Sequence, residues 1–314
     1  MAISKHVLSI ILCLILFLFA GCNKHVFIFS SKTDKPSPLI KKVAIAQFTN
    51  RSIFSDMKYT TYLYQAMAYS FDDFSHSIRL MKESSSNIPT IIKNIPRILS
   101  EYVVDNSALV EIGKQSGLNA IITGSIHDIL IIYEKKGIYG FRKEKPSLMI
   151  SGVIEIYDCE TASKLVYHLI DEKLRIDPNT IKSETISLST LPDDLVFLAL
   201  SQLSKKIAKL TNNALAKEPW KTFIINKNDS RYIIGAGQAS GLNQGDILDV
   251  IACDQVIRGL YDQQFYIPGK SIAQLQLLEV NDVSSVAIIK YGNPIEKYCS
   301  IRYGNQKTLD NSIP

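Results

Sequence analysis

Histidine and carboxylate side chains are the first candidates for chemistry in this 314-residue sequence. The five histidines are His6, His25, His76, His127 and His168. None belongs to a His-x-x-x-His pattern or adjoins a cysteine cluster, so their spacing does not indicate a metal site. His127 precedes Asp128 in an apolar stretch typical of a strand, where adjacent side chains face opposite sides. We therefore do not expect this pair to act as a base and its orienting carboxylate.

A glycine-rich stretch at 235–241 superficially resembles a dinucleotide-binding loop. Its third glycine is one residue late and no helical pattern follows, which favours a tight loop between strands. The sequence also lacks a Gly-x-Ser-x-Gly motif. Because no catalytic constellation is visible, we expect a protein that is not an enzyme and that uses no metal or dissociable cofactor.

The first 22 residues have the three parts of an export signal. A short basic start precedes an apolar run at 7–19, which is too short for a membrane-spanning helix. Ala20-Gly21-Cys22 resembles the lipobox of bacterial lipoproteins, although Phe19 stands where the lipobox usually has leucine. The resemblance implies a signal peptide at 1–21, cleavage before Cys22 and a covalent lipid such as palmitate on its thiol. The alternative is an ordinary cleaved signal.

The remaining cysteines and the net charge limit the disulfides and the partners that the sequence predicts. Cys159, Cys253 and Cys299 are an odd number at wide spacing, which does not indicate a disulfide framework. Cys253 and Cys299 could pair in an oxidising periplasm, or each could be a small buried apolar residue. The formal charge of +5 is a mild excess, so we expect no nucleic-acid partner.

Residues 22–40 are polar and contain prolines, which predicts an extended tether. An α/β domain is predicted over 41–216. Its predicted strands are 43–48, 120–133, 148–157 and 164–174, and its predicted helices are 62–71, 91–104, 107–115 and 192–216. We expect an α/β sandwich, with helices on a mixed, mainly antiparallel sheet.

A second, all-β domain is predicted after a linker at 217–221, where Pro219 prevents the last helix from continuing. Short apolar runs alternate with Gly, Asn, Asp and Pro over 222–304, which indicates a small barrel-like domain. Residues 305–314 are predicted to be a tail. The expected fold class is therefore α+β, with two domains.

Residues 41–216 resemble the periplasmic domain of the curli-secretion lipoprotein family. The similarity lies in three stretches, which are 42–50, 117–126 with Asn119 in place of the family's aspartate, and 154–164 with Ala162 in place of a glycine. Residues 222–303 resemble the C-terminal module of flagellar assembly protein T, through 232–237 and the turn at 241–250. These resemblances imply non-catalytic work in the cell envelope through protein–protein interaction.

One predicted connection, 134–146, has the composition of a binding loop. It contains five basic, two acidic and two aromatic residues. Such a cluster suits an anionic or protein partner, and the candidate partner-binding residues are Tyr139, Phe141, Arg142 and Lys143. A solvated hairpin tip is the alternative. Because the connection is too short and charged for two membrane-spanning strands, we expect no pore.

These features predict a lipoprotein anchored in the outer membrane and facing the periplasm. Asn23 follows Cys22, where enteric bacterial lipoproteins that stay in the inner membrane have an aspartate. The lack of this aspartate favours the outer membrane. The expected partners are envelope proteins, most specifically those of the flagellar basal body, and the membrane through the lipid; a homo-oligomer is left open. The alternatives are a regulator of peptidoglycan synthesis that binds a penicillin-binding protein, a curli-type secretion channel component, and an enzyme without a recognised motif.

Overall fold

The described residues up to 215 combine strands with three helices. A computed structural model describes residues 39–52, 57–82, 91–93, 95–98, 103–137, 143–177, 192–253, 255–295 and 299–304. The strands of this part are β1 (Lys41–Ala46), β2 (Thr49–Asn50), β3 (Ile78–Leu80), β4 (Ile91–Ile92), β5 (Arg97–Ile98), β6 (Val103–Val104), β7 (Ala120–Lys136), β8 (Lys143–Asp158) and β9 (Lys164–Arg175). The helices are α1 (Met57–Phe74), α2 (Asn106–Gln115) and α3 (Asp193–Leu215).

Seven of these strands form one mixed sheet. Its main path has the order β3-β1-β7-β8-β9, with β2 added to β7 and β4 added to β1. β1 pairs in parallel with β3, β4 and β7, whereas β7, β8 and β9 are antiparallel neighbours. The three long strands are antiparallel because their connections are too short for the crossover that parallel neighbours need.

Apolar residues of the helices pack on both faces of this sheet. Leu63 of α1 and Leu200 of α3 share a buried core with Ile122 of β7. Leu109 of α2 lies in a smaller core with Ile121. Because adjacent strand residues point to opposite faces, α2 lies on the face opposite α1 and α3. No helix among the described residues is long and apolar enough to cross a membrane.

The helix predicted at 91–104 is wrong. The described residues of this stretch form β4, which pairs in parallel with β1, and the separate antiparallel pair β5 and β6. Pro96 has no N–H to donate and disfavours helical backbone at the residue before it. Isoleucine and valine at the strand positions are β-branched, which suits the extended conformation.

The remaining described residues form a closed antiparallel barrel and one hairpin. The strands are β10 (Thr222–Asn228), β11 (Arg231–Ile234), β12 (Ile247–Ile251), β13 (Gln255–Arg258), β14 (Gln264–Ile267), β15 (Ser271–Val280), β16 (Ser285–Gly292) and β17 (Ser300–Tyr303). The barrel order is β10-β11-β16-β15-β12-β17, and β17 closes on β10. The predicted α+β class with a small barrel is confirmed. The β13–β14 hairpin was not predicted.

Asn119 connects the sheet to the barrel within the compact unit Ser37–Pro314. Its buried side chain accepts a hydrogen bond from the N–H of Lys42 at 2.8 Å. Its Nδ2 donates to the carbonyl of Lys221 at 2.8 Å. An ionised aspartate could accept the first hydrogen bond but could not donate the second. The asparagine therefore suits a position where the side chain must contact two backbone segments.

Replacing Asn119 with aspartate is expected to lower the free energy of unfolding by about 1–3 kcal/mol. The buried carbonyl of Lys221 would lose its donor and face an acceptor. Urea unfolding measures the loss, and Asn228→Asp at an exposed position serves as the matched control. The control should change stability by less than about 0.5 kcal/mol. Equal losses in the two variants would contradict this role of Asn119.

Candidate partner-binding surface

Of the residues predicted to bind a partner, only the backbone of Lys143 belongs to the described part of the chain. Lys143 is the first residue of β8 and pairs with Lys136 of β7. The side chain of Lys143 lies outside what the structure describes, as do Cys22, Tyr139, Phe141 and Arg142. The connection predicted at 134–146 is shorter in the structure, because both its ends belong to the paired strands.

A surface that the sequence analysis missed lies on the sheet face opposite α1 and α3. Cross-strand rows from β7, β8 and β9 build it. We name it the open sheet face, and its two rows are Thr123, Glu155 and Tyr167, then Ser125, Val153 and Leu169; Thr123 and Val153 are buried, and the β9 residues are exposed. Tyr167 is 64% exposed and Leu169 is 70% exposed. Adjacent exposed apolar and aromatic side chains form a patch of the kind that marks protein–protein interaction sites.

A depression of about 300 Å³ adjoins the open sheet face. Arg51, His127, Glu155, Lys164 and Tyr167 are among the residues that line it. The Nζ of Lys164 lies 2.6 Å from Glu155 Oε1 and 5.1 Å from the centroid of the Tyr167 ring. The depression thus presents an aromatic ring and both signs of charge side by side. This mixture is suited to a polar rim around an apolar protein contact.

His127 also lines this depression. Its hydrogen-bond partner differs from that of the adjacent Asp128. The Nε2 of His127 lies 2.7 Å from the Ser125 hydroxyl. Asp128 instead accepts a hydrogen bond from Ser151, and the strand register shifts between Ile126 and Asp128. Asp128 is therefore not the carboxylate that orients His127. Among the described residues, no group of three or more His, Cys, Asp or Glu could hold a metal ion.

Strand β9 is the terminal strand of the main path of the sheet, and β8 pairs with one of its edges. No strand in the described parts of the chain pairs with its other edge. Close to the middle of the strand, Lys206 of α3 donates a 2.6 Å hydrogen bond to the carbonyl of Asp171, an interaction that covers part of this edge. Residues 167–169 precede this contact in the first half of the strand, and their three side chains are exposed and carry no carboxylate, lysine or arginine. An extended segment of another protein can pair there.

A sequence signal for this surface was present on β9. Tyr167 and Leu169 occupy one face, and Val166, Ile170 and Leu174 occupy the other. A strand with one solvated face should alternate apolar and polar residues, so apolar residues on both faces predict that both are covered. The sequence alone cannot distinguish a covering by the protein's own core from a covering by a partner.

No family model matches the sequence, and no curated protein is similar to it. Among solved structures, the hypothetical protein CT253 from Chlamydia trachomatis is 12% identical, with a TM-score of 0.36, over 57% of this chain and 99% of that chain. Lipoprotein GNA1162 from Neisseria meningitidis is 11% identical, with a TM-score of 0.29, over 54% and 99% of the two chains. A minor lipoprotein from Acinetobacter baumannii is 7% identical, with a TM-score of 0.28, over 56% and 94%. At these TM-scores, the similarities assign neither a family nor a function to the chain.

Proposed function

We propose that this chain is a non-enzymatic lipoprotein of the bacterial cell envelope, which works by binding other envelope proteins. Cys22 carries the lipid that anchors it in the outer membrane, and the folded part faces the periplasm. Its most specific role is in assembly of the flagellar basal body. The observation that supports protein binding is the exposed pair Tyr167 and Leu169 on the unpaired edge of β9.

The edge of β9 suits addition of a strand from a partner. Backbone N–H and C=O groups along a sheet edge provide affinity for any extended chain, and side chains at alternate positions select the sequence. Tyr167 and Leu169 are two residues apart and therefore project on the same side. The matching partner segment is extended, with apolar residues at alternate positions and polar residues that contact Lys164 and Glu155.

The flagellar role is supported by the two resemblances in the sequence. The curli-secretion type of periplasmic domain is common to several envelope machines, so residues 41–216 alone favour none of them. The resemblance of 222–303 to the C-terminal module of flagellar assembly protein T favours the flagellar machine over control of peptidoglycan synthesis. A penicillin-binding protein recovered in the experiment below, in place of basal-body proteins, would overturn this choice.

Replacing both Tyr167 and Leu169 with serine is expected to reduce recovery of the partner at least about tenfold. The double variant removes the exposed apolar contact and keeps the strand. The full-length lipidated proteins would be crosslinked in envelopes, purified in detergent and compared by quantitative mass spectrometry of flagellar basal-body proteins.

The matched control is Tyr69→Ser, because Tyr69 is 70% exposed but lies on α1. It should leave recovery unchanged, and both variants should keep the melting temperature of the parent protein. Undiminished recovery of basal-body proteins by the double variant would contradict the role of β9, and absence of basal-body proteins from the parent sample would contradict the flagellar assignment.

A further inference from the structure

Two cysteines that are distant in sequence meet at one end of the barrel. Cys253 follows β12 and Cys299 precedes β17, 46 positions later. β12 and β17 are antiparallel neighbours, and Ile251 pairs with Ser300 beside the two cysteines. Their sulfur atoms lie 3.0 Å apart. This distance is only about 1 Å longer than a disulfide bond, so a small side-chain rotation brings the sulfurs to bonding distance.

The two thiols differ in access to solvent. Cys253 is exposed, whereas Cys299 is 6% exposed. An external disulfide can therefore reach Cys253 but not Cys299. This arrangement resembles the division between an attacking thiol and a resolving thiol in thiol–disulfide exchange, which proceeds through a mixed disulfide.

A cation lies beside this pair. Lys114 of α2 lines a small cavity together with Cys253, and its Nζ is 3.7 Å from the centroid of the Tyr266 ring. Burial lowers the pKa of Lys114, and negative charge on Glu111, followed by Cys253, Cys159 and Cys299, acts in the opposite direction. In general, a cation next to a cysteine favours the thiolate, which is the nucleophilic form.

The third cysteine of the folded part has a different environment. Cys159 is completely buried, and burial raises the pKa of its thiol well above the usual range. A buried neutral thiol is a poor nucleophile. Cys159 therefore provides an internal control.

We propose that Cys253 and Cys299 form a redox-active pair, oxidised to a disulfide by a protein disulfide donor of the periplasm. The Cys253 thiolate attacks a sulfur of the donor disulfide, which releases one donor thiolate and forms a mixed disulfide. The Cys299 thiolate then attacks the Cys253 sulfur and releases the second donor thiolate. The pair loses two electrons and two protons, and the donor disulfide is reduced to two thiols.

The bond would link the ends of two barrel strands and fix the start of the β13–β14 hairpin. This hairpin also contacts the sheet part of the protein. Asn106 of α2 donates to the carbonyl of Gln264 at 2.7 Å and accepts from its N–H at 3.2 Å. The N–H of Tyr266 donates to the carbonyl of Thr161 at 2.9 Å. Oxidation thus stabilises a segment that contacts the barrel, α2 and the turn after β8.

The test uses the full-length protein, purified from envelopes with free thiols blocked by an alkylating agent at lysis. Trypsin would release Cys253 in the peptide 232–258 and Cys299 in the peptide 298–302. Mass spectrometry before and after reduction shows whether the two peptides are linked. Thermal unfolding with and without a reductant is measured for the parent protein and for Cys253→Ser, Cys299→Ser and Cys159→Ser.

We expect linked peptides that separate on reduction. The reductant should lower the melting temperature of the parent protein and of Cys159→Ser by about 5 °C or more, and should leave Cys253→Ser and Cys299→Ser unchanged. Full alkylation of both cysteines in protein from envelopes, and again after incubation with an oxidised disulfide donor, would overturn the proposal. So would an equal effect of reductant on Cys253→Ser and on the parent protein.

Discussion

Replacing Lys221 with methionine is expected to lower the free energy of unfolding by about 3–5 kcal/mol. The Lys221 side chain is 2% exposed and lies between two buried carboxylates. Its Nζ is 2.5 Å from Asp158 Oδ1 and 3.3 Å from Glu160 Oε2. Methionine fills a similar volume but removes the cation that the two carboxylates share. Denaturant unfolding of the parent protein and the variant measures the difference.

The matched control is Lys164→Met. Lys164 and Glu155 form the same chemical pair at 2.6 Å, but their side chains are 34% and 16% exposed. Water solvates this pair in part, so its loss should cost about 1 kcal/mol or less. Similar losses of unfolding free energy in Lys221→Met and Lys164→Met would contradict the expectation that burial makes the ion pairs of Lys221 more important for stability.

The interaction between Lys221 and Glu160 should also affect how stability depends on pH. Burial alone would raise the pKa of Glu160, but Lys221, Arg302 and the Ser300 hydroxyl hold it below its usual value. A carboxyl whose pKa is lower in the folded state stabilises the protein above its unfolded pKa of about 4.3, and this stability is lost as pH falls through the folded pKa. In Lys221→Met, the pKa of Glu160 rises. The acid-induced loss of stability, measured by urea unfolding at several pH values, should therefore begin at higher pH.

Replacing Gly117 with alanine is expected to cost about 3 kcal/mol or more. Gly117 follows α2 with φ of +65°, a conformation that side chains disfavour. An added Cβ would also collide with the carbonyl oxygen of Gly235 and lie 2.6 Å from its Cα. The obstacle is backbone that leads out of β11, so it cannot rotate away as a side chain could. Urea unfolding measures the cost.

Gly245→Ala separates backbone strain from this close approach. Gly245 has φ of +90°, but an added Cβ there meets nothing within 4 Å. Only strain remains, at about 1–2 kcal/mol. A cost for Gly117→Ala no greater than that for Gly245→Ala would contradict the proposed clash between the sheet and the barrel.

Elements with long, regular patterns were predictable from the sequence. α3 and the strands β7, β8 and β9 lie within a few residues of their predicted bounds, because each repeats apolar residues at the spacing of its own backbone. The stretch 91–104 was not predictable in this way. Its strands are two residues long, and pairing with β1 determines the conformation of β4. Short apolar segments have little preference of their own, so tertiary neighbours decide their structure.

The candidate site was less predictable than the fold. The composition of 134–146 predicted a partner-binding site that includes Tyr139, Phe141 and Arg142, which lie outside the described residues. The unpaired edge of β9 depends on which strand is last in the sheet. That order is a long-range property, because β9 becomes an edge only when nothing in the described chain pairs beyond it.

By itself, the sequence determined the α+β class, the turn after β8 and the break before the barrel. It placed Asp158 and Glu160 in a turn and Lys221 in a linker, where charged side chains are usually exposed to solvent. Tertiary structure alone decided that these three charges are buried together, that Gly117 contacts Gly235, and that Cys253 lies beside Cys299. Local patterns report the conformation of neighbouring residues. Burial, charge pairing and thiol proximity depend on residues far apart in the chain, which only packing of the sheet and the closed barrel brings together.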